Sequence, residues 1–233
     1  MSGDGIKADN AAWKFNGKMV EQFETHVARS VPFYDEGHDL VVKLSDYFVK
    51  EDSISYELGS STGKLSHKLA LHHDSKNARF IGIEIEEDMV KKASATYHHD
   101  NLSFVCEDIN TLEFESSDLI VAYYTVQFIH PKQRQALIDK VYKALNWGGA
   151  FIMYEKVRAN DARFQDIMTG LYTEYKLDQG YTAEEIVAKS KSLKGVLEPF
   201  STQGNLDMLN RAGFIDILSI QKYVNFEGFL AIK

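Results

Sequence analysis

The sequence predicts an α/β protein with a mostly parallel, seven-stranded sheet, helices on both faces and an antiparallel C-terminal hairpin. Strand-like and helix-like segments alternate between residues 53 and 155, and a glycine turn follows the first strand. Two strand-like runs joined by a short turn close the chain. Because alternating strands and helices connect through right-handed crossovers, the first five strands are expected to be parallel and covered on both faces.

Hydrophobic periodicity predicts the individual elements. Two N-terminal helices are expected over residues 19–29 and 34–49, where apolar residues recur with helical spacing. The alternating region gives strands near 53–58, 79–84, 102–106, 117–124 and 149–155, and helices near 64–73, 86–97 and 131–145. The run Asn146-Trp-Gly-Gly149 is expected to stop the last of these helices with glycine.

The C-terminal third has a different pattern. It predicts helices over 161–176, 182–194 and 204–212, then strands over 214–224 and 229–232 with a turn at 225–228. We expect residues 1–17 to be loosely ordered and residues 18–233 to form one domain. Helices at about 18–48 and 160–200 would act as lid elements.

Composition excludes several classes of protein. At 233 residues the chain suits one domain, and its net charge of −8 opposes direct binding to nucleic acid. The apolar runs are too short to span a membrane, and the polar first ten residues predict a cytoplasmic location. The single cysteine, Cys106, excludes an internal disulfide and a multi-cysteine zinc site; a core position is predicted for it.

The segment Gly59-Ser60-Ser61-Thr62-Gly63 follows the first strand and precedes a helix. It fits a nucleoside-binding loop, since glycine permits close approach of the backbone and a helix start offers free N–H groups. It also matches G-x-S-x-G, but a hydrolase with Ser61 as nucleophile needs a late histidine, and the last one is His130. It lacks G-x-G-x-x-G, which disfavours a dinucleotide. A turn that only packs a helix on a strand is the structural alternative.

Carboxylates end the next two strands. Glu84 lies 25 residues after Gly59, close to the spacing of about 20 at which an acid binds a ribose diol. Asp108 follows the third strand, where it would accept a hydrogen bond from the adenine amine while Ile109 packs on the ring. Solvated strand-end charges, or a turn aspartate, are the alternatives. Together the loop and the acids predict an adenosine-type ligand at the carboxyl edge of the sheet.

Other candidates follow the fourth and fifth strands. Tyr123 and Tyr124 emerge at the ligand edge, and Glu155 and Lys156 end the fifth strand. No metal site is predicted. The adjacent histidines at 72–73 and 98–99 do not share a helix face, and no carboxylate pattern completes a site.

Several short motifs carry a family resemblance from about residue 15 to the C-terminus. They are Arg29-Ser-Val-Pro-Phe-Tyr34, Tyr56-Glu-Leu-Gly59, Glu107-Asp-Ile109, Thr125-Val-Gln-Phe128, Arg134-Gln-Ala-Leu137, Gly148-Gly-Ala150, Glu155-Lys156, Gly180-Tyr-Thr-Ala-Glu-Glu-Ile186 and Ala212-Gly-Phe214. With these motifs the chain resembles the class I S-adenosylmethionine-dependent methyltransferases, which have a Rossmann-like fold. More narrowly, it is similar to the CmoA family of carboxy-S-adenosylmethionine synthases.

The resemblance implies S-adenosylmethionine, or its carboxylated form, as cofactor. The residues that would bind it are Tyr34, Glu57, Gly59, Ser60, Ser61, Gly63, Glu84, Ile85, Asp108, Ile109 and Tyr123. Tyr123 and Tyr124 are the catalytic candidates, on the acceptor side with Tyr34. The resemblance also implies a homodimer, whose late helices would contribute to the partner's site.

Two positions depart from that family. Tyr123 stands where the family has an asparagine, and Ser190 where it has the arginine that binds the extra carboxylate of the modified cofactor. Lys189 or Lys191 would replace this arginine without its bidentate fork. The first prediction is therefore methyl transfer to an unidentified small molecule.

Two alternatives stay open. One is a carboxy-S-adenosylmethionine synthase, in which prephenate supplies the carboxyl group and the product serves modification of a transfer RNA wobble uridine. Such an enzyme need not contact nucleic acid itself. The other is a protein that binds the cofactor without chemistry.

Overall fold

The computed structural model describes residues 9–11, 13 and 17–233. Its helices are α1 Lys18–Ser30, α2 Tyr34–Ser45, α3 Lys64–His72, α4 Glu87–Thr96, α5 Pro131–Ala144, α6 Ala162–Asp178, α7 Ala183–Ser192 and α8 Thr202–Ala212. Its strands are β1 Ile54–Leu58, β2 Arg79–Glu84, β3 Leu102–Cys106, β4 Ser117–Tyr123, β5 Leu145–Lys156, β6 Asp216–Tyr223 and β7 Phe226–Ile232. A short 3₁₀ helix covers Val126–Phe128.

The sheet confirms the predicted fold class. Its seven strands have the order β3-β2-β1-β4-β5-β7-β6. Strands β1 to β5 pair in parallel, whereas β7 is antiparallel to both β5 and β6. The chain runs outward from β1 to β3 and then crosses to β4 on the other side of β1. Ligands of open α/β sheets bind beyond the carboxyl ends of the strands at such a reversal.

Two apolar clusters cover opposite faces of the sheet. In one, Leu137 of α5 and Leu209 of α8 pack with strand residues such as Ile120. In the other, Val41 of α2 and Leu65 of α3 pack with the alternate strand residues. Successive residues of a strand point to opposite faces, so a parallel strand covered on both sides is apolar throughout. This packing fixes the strand ends that surround the site.

The C-terminal hairpin turns earlier than predicted. Its turn is formed by Val224 and Asn225, not by residues 225–228, because β7 begins at Phe226. Gly228 lies inside β7, where a Cβ atom would be 2.7 Å from the Tyr154 ring. The glycine therefore permits the close approach of an aromatic ring and does not mark the turn.

The predicted glycine stop after α5 is also different. The helix ends at Ala144 and β5 begins at Leu145, so Gly148 and Gly149 lie within the strand. The N–H of Gly148 donates to the carbonyl oxygen of Lys233 at 2.8 Å. Pairing with the end of the chain thus extends β5 over residues that the sequence assigns to a loop.

The prediction for Cys106 is wrong, and the N-terminal segment is described only in part. Most of residues 1–17 lie outside the described part of the chain, but Ala11 and Trp13 donate backbone hydrogen bonds to the carbonyls of Lys191 and Ser192. These two residues are therefore fixed to the end of α7, and Trp13 is buried. Cys106, predicted in the core, is exposed at the end of β3.

None of the described helices is long and apolar enough to cross a membrane.

Candidate active site

A cleft of about 860 Å³ opens at the carboxyl ends of the strands. Its volume falls within the range of about 300–1,000 Å³ typical of small-molecule sites. The predicted residues that line it are Tyr34, Glu57, Gly59, Ser60, Ser61, Glu84, Ile85, Asp108, Ile109, Tyr123 and Tyr124. Gly63 does not line the cleft. A Cβ atom there would lie 2.5 Å from the ring of Phe104, so this glycine allows α3 to pack closely on the sheet.

The glycine loop is held by backbone hydrogen bonds to β2. The N–H groups of Gly59 and Ser60 both donate to the carbonyl oxygen of Ile83, at 2.7 and 2.9 Å. Gly59 has a φ of +72°, and a Cβ atom on it would lie 2.6 Å from the side chain of Thr125. Ser61 also has a positive φ, of 49°. A left-handed non-glycine residue costs on the order of 1 kcal/mol and is concentrated at functional sites.

Glu84 connects this loop to β2. Its Oε2 accepts the N–H of Ser61 at 2.9 Å, and its Oε1 accepts those of Ile85 and Glu86 at 2.8 and 3.0 Å. Burial nevertheless raises the pKa of this carboxyl above its ordinary value. Three of the roughly four acceptor sites of the carboxylate are thus occupied, and the site left on Oε2 can still accept a hydrogen bond from a ribose hydroxyl. Its orientation is set before any ligand binds.

Asp108 and Ile109 follow β3 at the same edge. Oδ1 of Asp108 accepts both the backbone N–H and the side-chain amide of Asn110, each at 2.8 Å. The predicted turn aspartate is thus present, and the residue lines the cleft as well. Ile109 is buried in the apolar cluster that contains α5. Its position is compatible with packing against the base.

Glu57, the acid of β1, is buried and lines the cleft. The hydroxyl of Ser66 on α3 donates to its Oε2. Burial raises the pKa of Glu57 to about 8, with Glu84 as a smaller repulsive contribution. At neutral pH its protonated form therefore predominates when the cleft is empty. A cationic ligand group would favour the charged form.

Tyr123 ends β4, and its hydroxyl is directed to the start of α2. It donates to the backbone carbonyl of Tyr34 at 2.7 Å, and the two rings meet edge to face with centroids 5.1 Å apart. Burial raises the pKa of Tyr123 far above its ordinary value. The phenol is therefore neutral, and its clear contribution is to hold the start of α2 over the sheet.

Tyr124 has the features of a site residue. Its φ is +60°, and its N–H donates to the carbonyl oxygen of Tyr154 at 2.9 Å. Its hydroxyl has no hydrogen-bond partner among the residues that the structure describes. Burial raises the pKa of Tyr124 well above its ordinary value, so the hydroxyl stays a neutral donor. The strained backbone turns this ring toward the cleft.

Positive side chains gather at the other end of the cleft, which we call the cationic end. It comprises Lys156 at the end of β5, Arg158 just after it, Lys176 on α6 and Lys194 just after α7. Burial, Lys176, Lys194 and Arg158, in that order, lower the pKa of Lys156 to about 7. Burial lowers the pKa of Lys176 to about 8. Of these four residues only Lys156 was a candidate from the sequence.

The resemblance puts Ser190 at the position of the family's arginine. Ser190 lies on α7 and lines the cleft. The neighbouring Lys189 is buried and also lines it; its Nζ donates to Ser30 Oγ at 2.9 Å and lies 2.5 Å from Nε2 of His26. Lys191 is exposed and is not among the lining residues. Of the two lysines beside Ser190, Lys189 is thus the one that lines the cleft.

One possible group of metal ligands lies elsewhere in the described chain. A carboxylate from the residue after α2, Asp46, meets His72 and His73, and the three ligand atoms lie within 4.8 Å of one another. The sequence alone indicates no carboxylate here, because Asp46 comes from a distant segment. Nε2 of His72 contacts Asp46 Oδ1 at 2.8 Å, and Nε2 of His73 contacts Ser45 Oγ at 2.7 Å. These nitrogens thus have protein partners.

The cleft fits an adenosine carrying a charged sulfur. Glu84 and Asp108 supply carboxylates at the ends of neighbouring strands, and Gly59 allows the ligand to approach the backbone. Ser60 Oγ is buried without a hydrogen-bond partner in the described structure, so a ligand group can satisfy it. A polar ligand bound at this edge would explain why a buried polar atom there lacks a partner in the described structure.

Comparisons with known proteins agree with this fit. A family profile described as "Methyltransferase domain" matches residues 56–149. The chain is 38% identical over 222 residues to a carboxy-S-adenosyl-L-methionine synthase of Staphylococcus epidermidis, covering 95% of this chain and 97% of that one. It is 37% identical to the Helicobacter hepaticus protein of the same name, covering 95% of each chain.

Solved structures show the same fold at low identity. Human N-acetylserotonin methyltransferase, in complex with S-adenosylmethionine, superposes with a TM-score of 0.63 at 15% identity, over 92% of this chain and 56% of that one. The methyltransferase SibL in its apo form gives a TM-score of 0.65 at 15% identity, over 98% and 63%. The chain belongs to the carboxy-S-adenosyl-L-methionine synthase family and is a transferase that uses S-adenosylmethionine.

Proposed function

We propose that the protein is a carboxy-S-adenosylmethionine synthase, which carboxylates the sulfonium methyl group of S-adenosylmethionine with prephenate as donor. The cationic end of the cleft carries this proposal. A neutral or cationic methyl acceptor would gain nothing from Lys156 and Lys176, whereas an anionic carboxyl donor would be attracted by both. The relatives named above match this chain over almost their full length, and they are named for this activity.

The chemistry defines what the site must do. Carboxylation breaks one C–H bond of the methyl group and forms one C–C bond, while the donor loses a carboxyl group. Aromatisation of the prephenate ring releases that carboxyl group together with a hydroxide, which can take the methyl proton and leave as water. The protein then has to align donor and methyl group and exclude bulk water, and positioning of this kind contributes several kcal/mol.

We assign roles to the site residues on this basis. Glu84 and Asp108 bind the ribose and the adenine, and the loop from Gly59 to Ser61 approaches the rest of the cofactor. Tyr124 contacts the donor through its neutral hydroxyl. Tyr123 acts through Tyr34, whose backbone it holds, and is a positioning residue. Helices α1, α2, α6 and α7 would close over the bound pair.

A second candidate is methyl transfer to a small molecule, the first prediction from the sequence. Ser190 favours it, because the family's bidentate anion contact is lost at this position. Purified protein incubated with S-adenosylmethionine and prephenate separates the two. The proposal expects the recovered cofactor to gain the mass of one carboxyl group, and its absence with active enzyme would overturn it. Cofactor binding without any turnover would indicate the non-catalytic alternative.

We also propose a homodimer with a small-molecule substrate, located in the cytoplasm and without direct contact to nucleic acid or membrane. Support for self-association comes from α6, where Phe164, Ile167 and Leu171 are 58%, 51% and 48% exposed and recur with helical spacing. An exposed apolar stripe of this kind marks a contact surface. Light scattering should give twice the chain mass for the wild type and less for Leu171→Glu.

A further inference from the structure

Lys156 and Lys176 share one aromatic ring. Each Nζ lies 4.3 Å from the ring centroid of Tyr172 on α6, and Lys156 is also 5.8 Å from that of Phe226. The hydroxyl of Tyr172 donates to the backbone carbonyl of Ser30 at 2.8 Å, which fixes the ring. Two cations are thus held beside one rigid ring, although they come from β5 and α6.

Neither ammonium group has an acidic partner. Within the described residues, no carboxylate and no hydrogen-bond acceptor pairs with the Nζ of Lys156 or of Lys176. Lys176 is only 6% exposed. A buried unpaired charge is costly, and a cation–π contact offsets only part of that cost. An anion in the cleft, which both lysines line, would reduce the remaining penalty.

A further polar atom at this end lacks a partner. Asn225, in the turn of the C-terminal hairpin, lines the cleft and is 2% exposed, and its Oδ1 accepts no hydrogen bond from any described residue. Its backbone carbonyl is fixed by the N–H of Val157 at 2.8 Å. An unpartnered buried acceptor close to the end of β5 fits a ligand that carries a hydroxyl as well as a negative charge.

We propose that Lys156 and Lys176 form the subsite that binds a carboxylate of the dicarboxylate carboxyl donor, with Asn225 accepting from its hydroxyl. The assignment rests on the proposed function and deepens it. Two lysines on different elements would hold the carboxylate of the donor, whereas the family's arginine holds the extra carboxylate of the modified cofactor. Lys156 and Lys176 are far apart in the sequence, so no short sequence motif contains both of them.

Binding without turnover tests the subsite. Protein loaded with S-adenosylhomocysteine, which has no methyl group to carboxylate, is titrated with prephenate by calorimetry. Lys156→Met and Lys176→Met should each raise the Kd of prephenate by about tenfold or more, since each removes a charged partner. The Kd of S-adenosylhomocysteine should change by less than about threefold. Lys132→Met, at an exposed lysine of α5 outside the cleft, is the matched control.

The outcomes separate the possible roles. Unchanged prephenate affinity in both variants, or no binding by the wild type, overturns the subsite. An equal loss of S-adenosylhomocysteine affinity also overturns it, because the lysines would then hold the amino-acid end of the cofactor. Retained cofactor binding shows that a variant is folded, and Lys156→Arg, which keeps the charge, should restore most of the prephenate affinity.

The failure of the proposed function can be distinguished from the failure of the subsite. If the wild type binds prephenate through both lysines but forms no carboxylated cofactor, the proposed subsite is supported and the proposed synthase activity is wrong. If both methionine variants carboxylate the cofactor with an unchanged KM for prephenate, the synthase activity is supported and the subsite is wrong.

Discussion

The two ends of the cleft are stabilised in different ways. At the end lined by Glu84, Asp108 and the loop from Gly59 to Ser61, which we call the adenosine end, Glu84 accepts three backbone N–H groups and the loop is bonded to β2. The geometry is therefore fixed by neighbouring parts of one βαβ unit. At the cationic end, charged groups from β5, α6 and the end of α7 come together, and none of the described residues provides an acidic partner for Lys156 or Lys176. The backbone of the first end is fixed by these bonds and leaves Ser60 Oγ for a ligand, whereas the second end has lysines with no acidic partner among the described residues. The difference predicts that cofactor and donor binding respond to separate mutations.

The largest effect is expected at the adenosine end. Glu84→Gln removes the negative charge that three N–H groups and the ribose share, so the affinity for S-adenosylmethionine should fall by about 10- to 100-fold. Calorimetry measures this. Glu113→Gln, at an exposed acid outside the cleft, is the control. A loss below threefold in Glu84→Gln would contradict the ribose assignment.

The cationic end should bind its anion more weakly as the pH rises. Without an anion the pKa of Lys156 is about 7 and that of Lys176 about 8, and Lys194 and Arg158 contribute further positive charge. An anion favours the protonated lysines, so prephenate binding takes up protons and its affinity falls between about pH 7 and about pH 9, by roughly tenfold. Calorimetry in two buffers of different ionisation enthalpy detects the uptake.

The same measurement on the double variant Lys156→Met/Lys176→Met provides the control. Its proton uptake on prephenate binding should disappear. Uptake that persists in this variant would place the titrating group elsewhere in the cleft.

A moderate effect on stability is expected from Glu57. Its carboxyl stays protonated in the folded protein up to about pH 8 but ionises near 4.5 in the unfolded chain. The free energy of unfolding of the empty protein should therefore fall as the pH rises through this window, by at most about 1.4 kcal/mol per pH unit. Urea denaturation at several pH values should show a shallower fall in Glu57→Gln.

Other groups add to that slope. Glu155, whose pKa burial also raises to about 8, contributes in the same direction and remains in the variant. The two cleft lysines act oppositely above about pH 7, because their folded pKa values lie below 10.5. An identical slope in wild type and Glu57→Gln would show that Glu57 is ionised in the folded protein.

The smallest effects separate the two tyrosines. Tyr123→Phe loses the hydrogen bond to the Tyr34 carbonyl, so the free energy of unfolding should fall by about 1 kcal/mol with turnover reduced less than tenfold. Tyr124→Phe loses no described hydrogen bond, so stability should hold while turnover falls. Denaturation and a turnover assay on both variants test this. A loss of stability in Tyr124→Phe with a large loss of turnover in Tyr123→Phe would contradict the roles assigned to the two tyrosines.

Sequence reasoning predicts that Gly59, Glu84 and Asp108 lie at one edge of the sheet, where the structure has them, because this part of the fold is local. Gly59 and Glu84 lie in consecutive strand–turn–helix units, and the spacing of such units fixes where their residues meet. The same locality explains why β1 to β4 were predicted within about one residue. The element ends that differ, at Gly148 and Gly228, depend on pairing with the chain terminus and on an aromatic neighbour, neither of which periodicity contains.

The cationic end could not be predicted in the same way. Lys176 lies in a polar helical pattern, where a lysine is expected to face solvent, yet it is the buried residue of α6. Only the docking of α6 beside β5 and the C-terminal hairpin turns it inward. The orientation of the Tyr123 hydroxyl likewise follows from the contact with α2, since a strand-end tyrosine can point to either side.

The exposed thiol of Cys106 has a practical consequence. It lies at the end of β3, 3.7 Å from the carbonyl oxygen of Ile85, on the rim beside the adenosine end. Since the sequence contains no other cysteine, a thiol-reactive fluorophore would attach at this single position. The label would give an optical signal for cofactor occupancy in the unmutated protein.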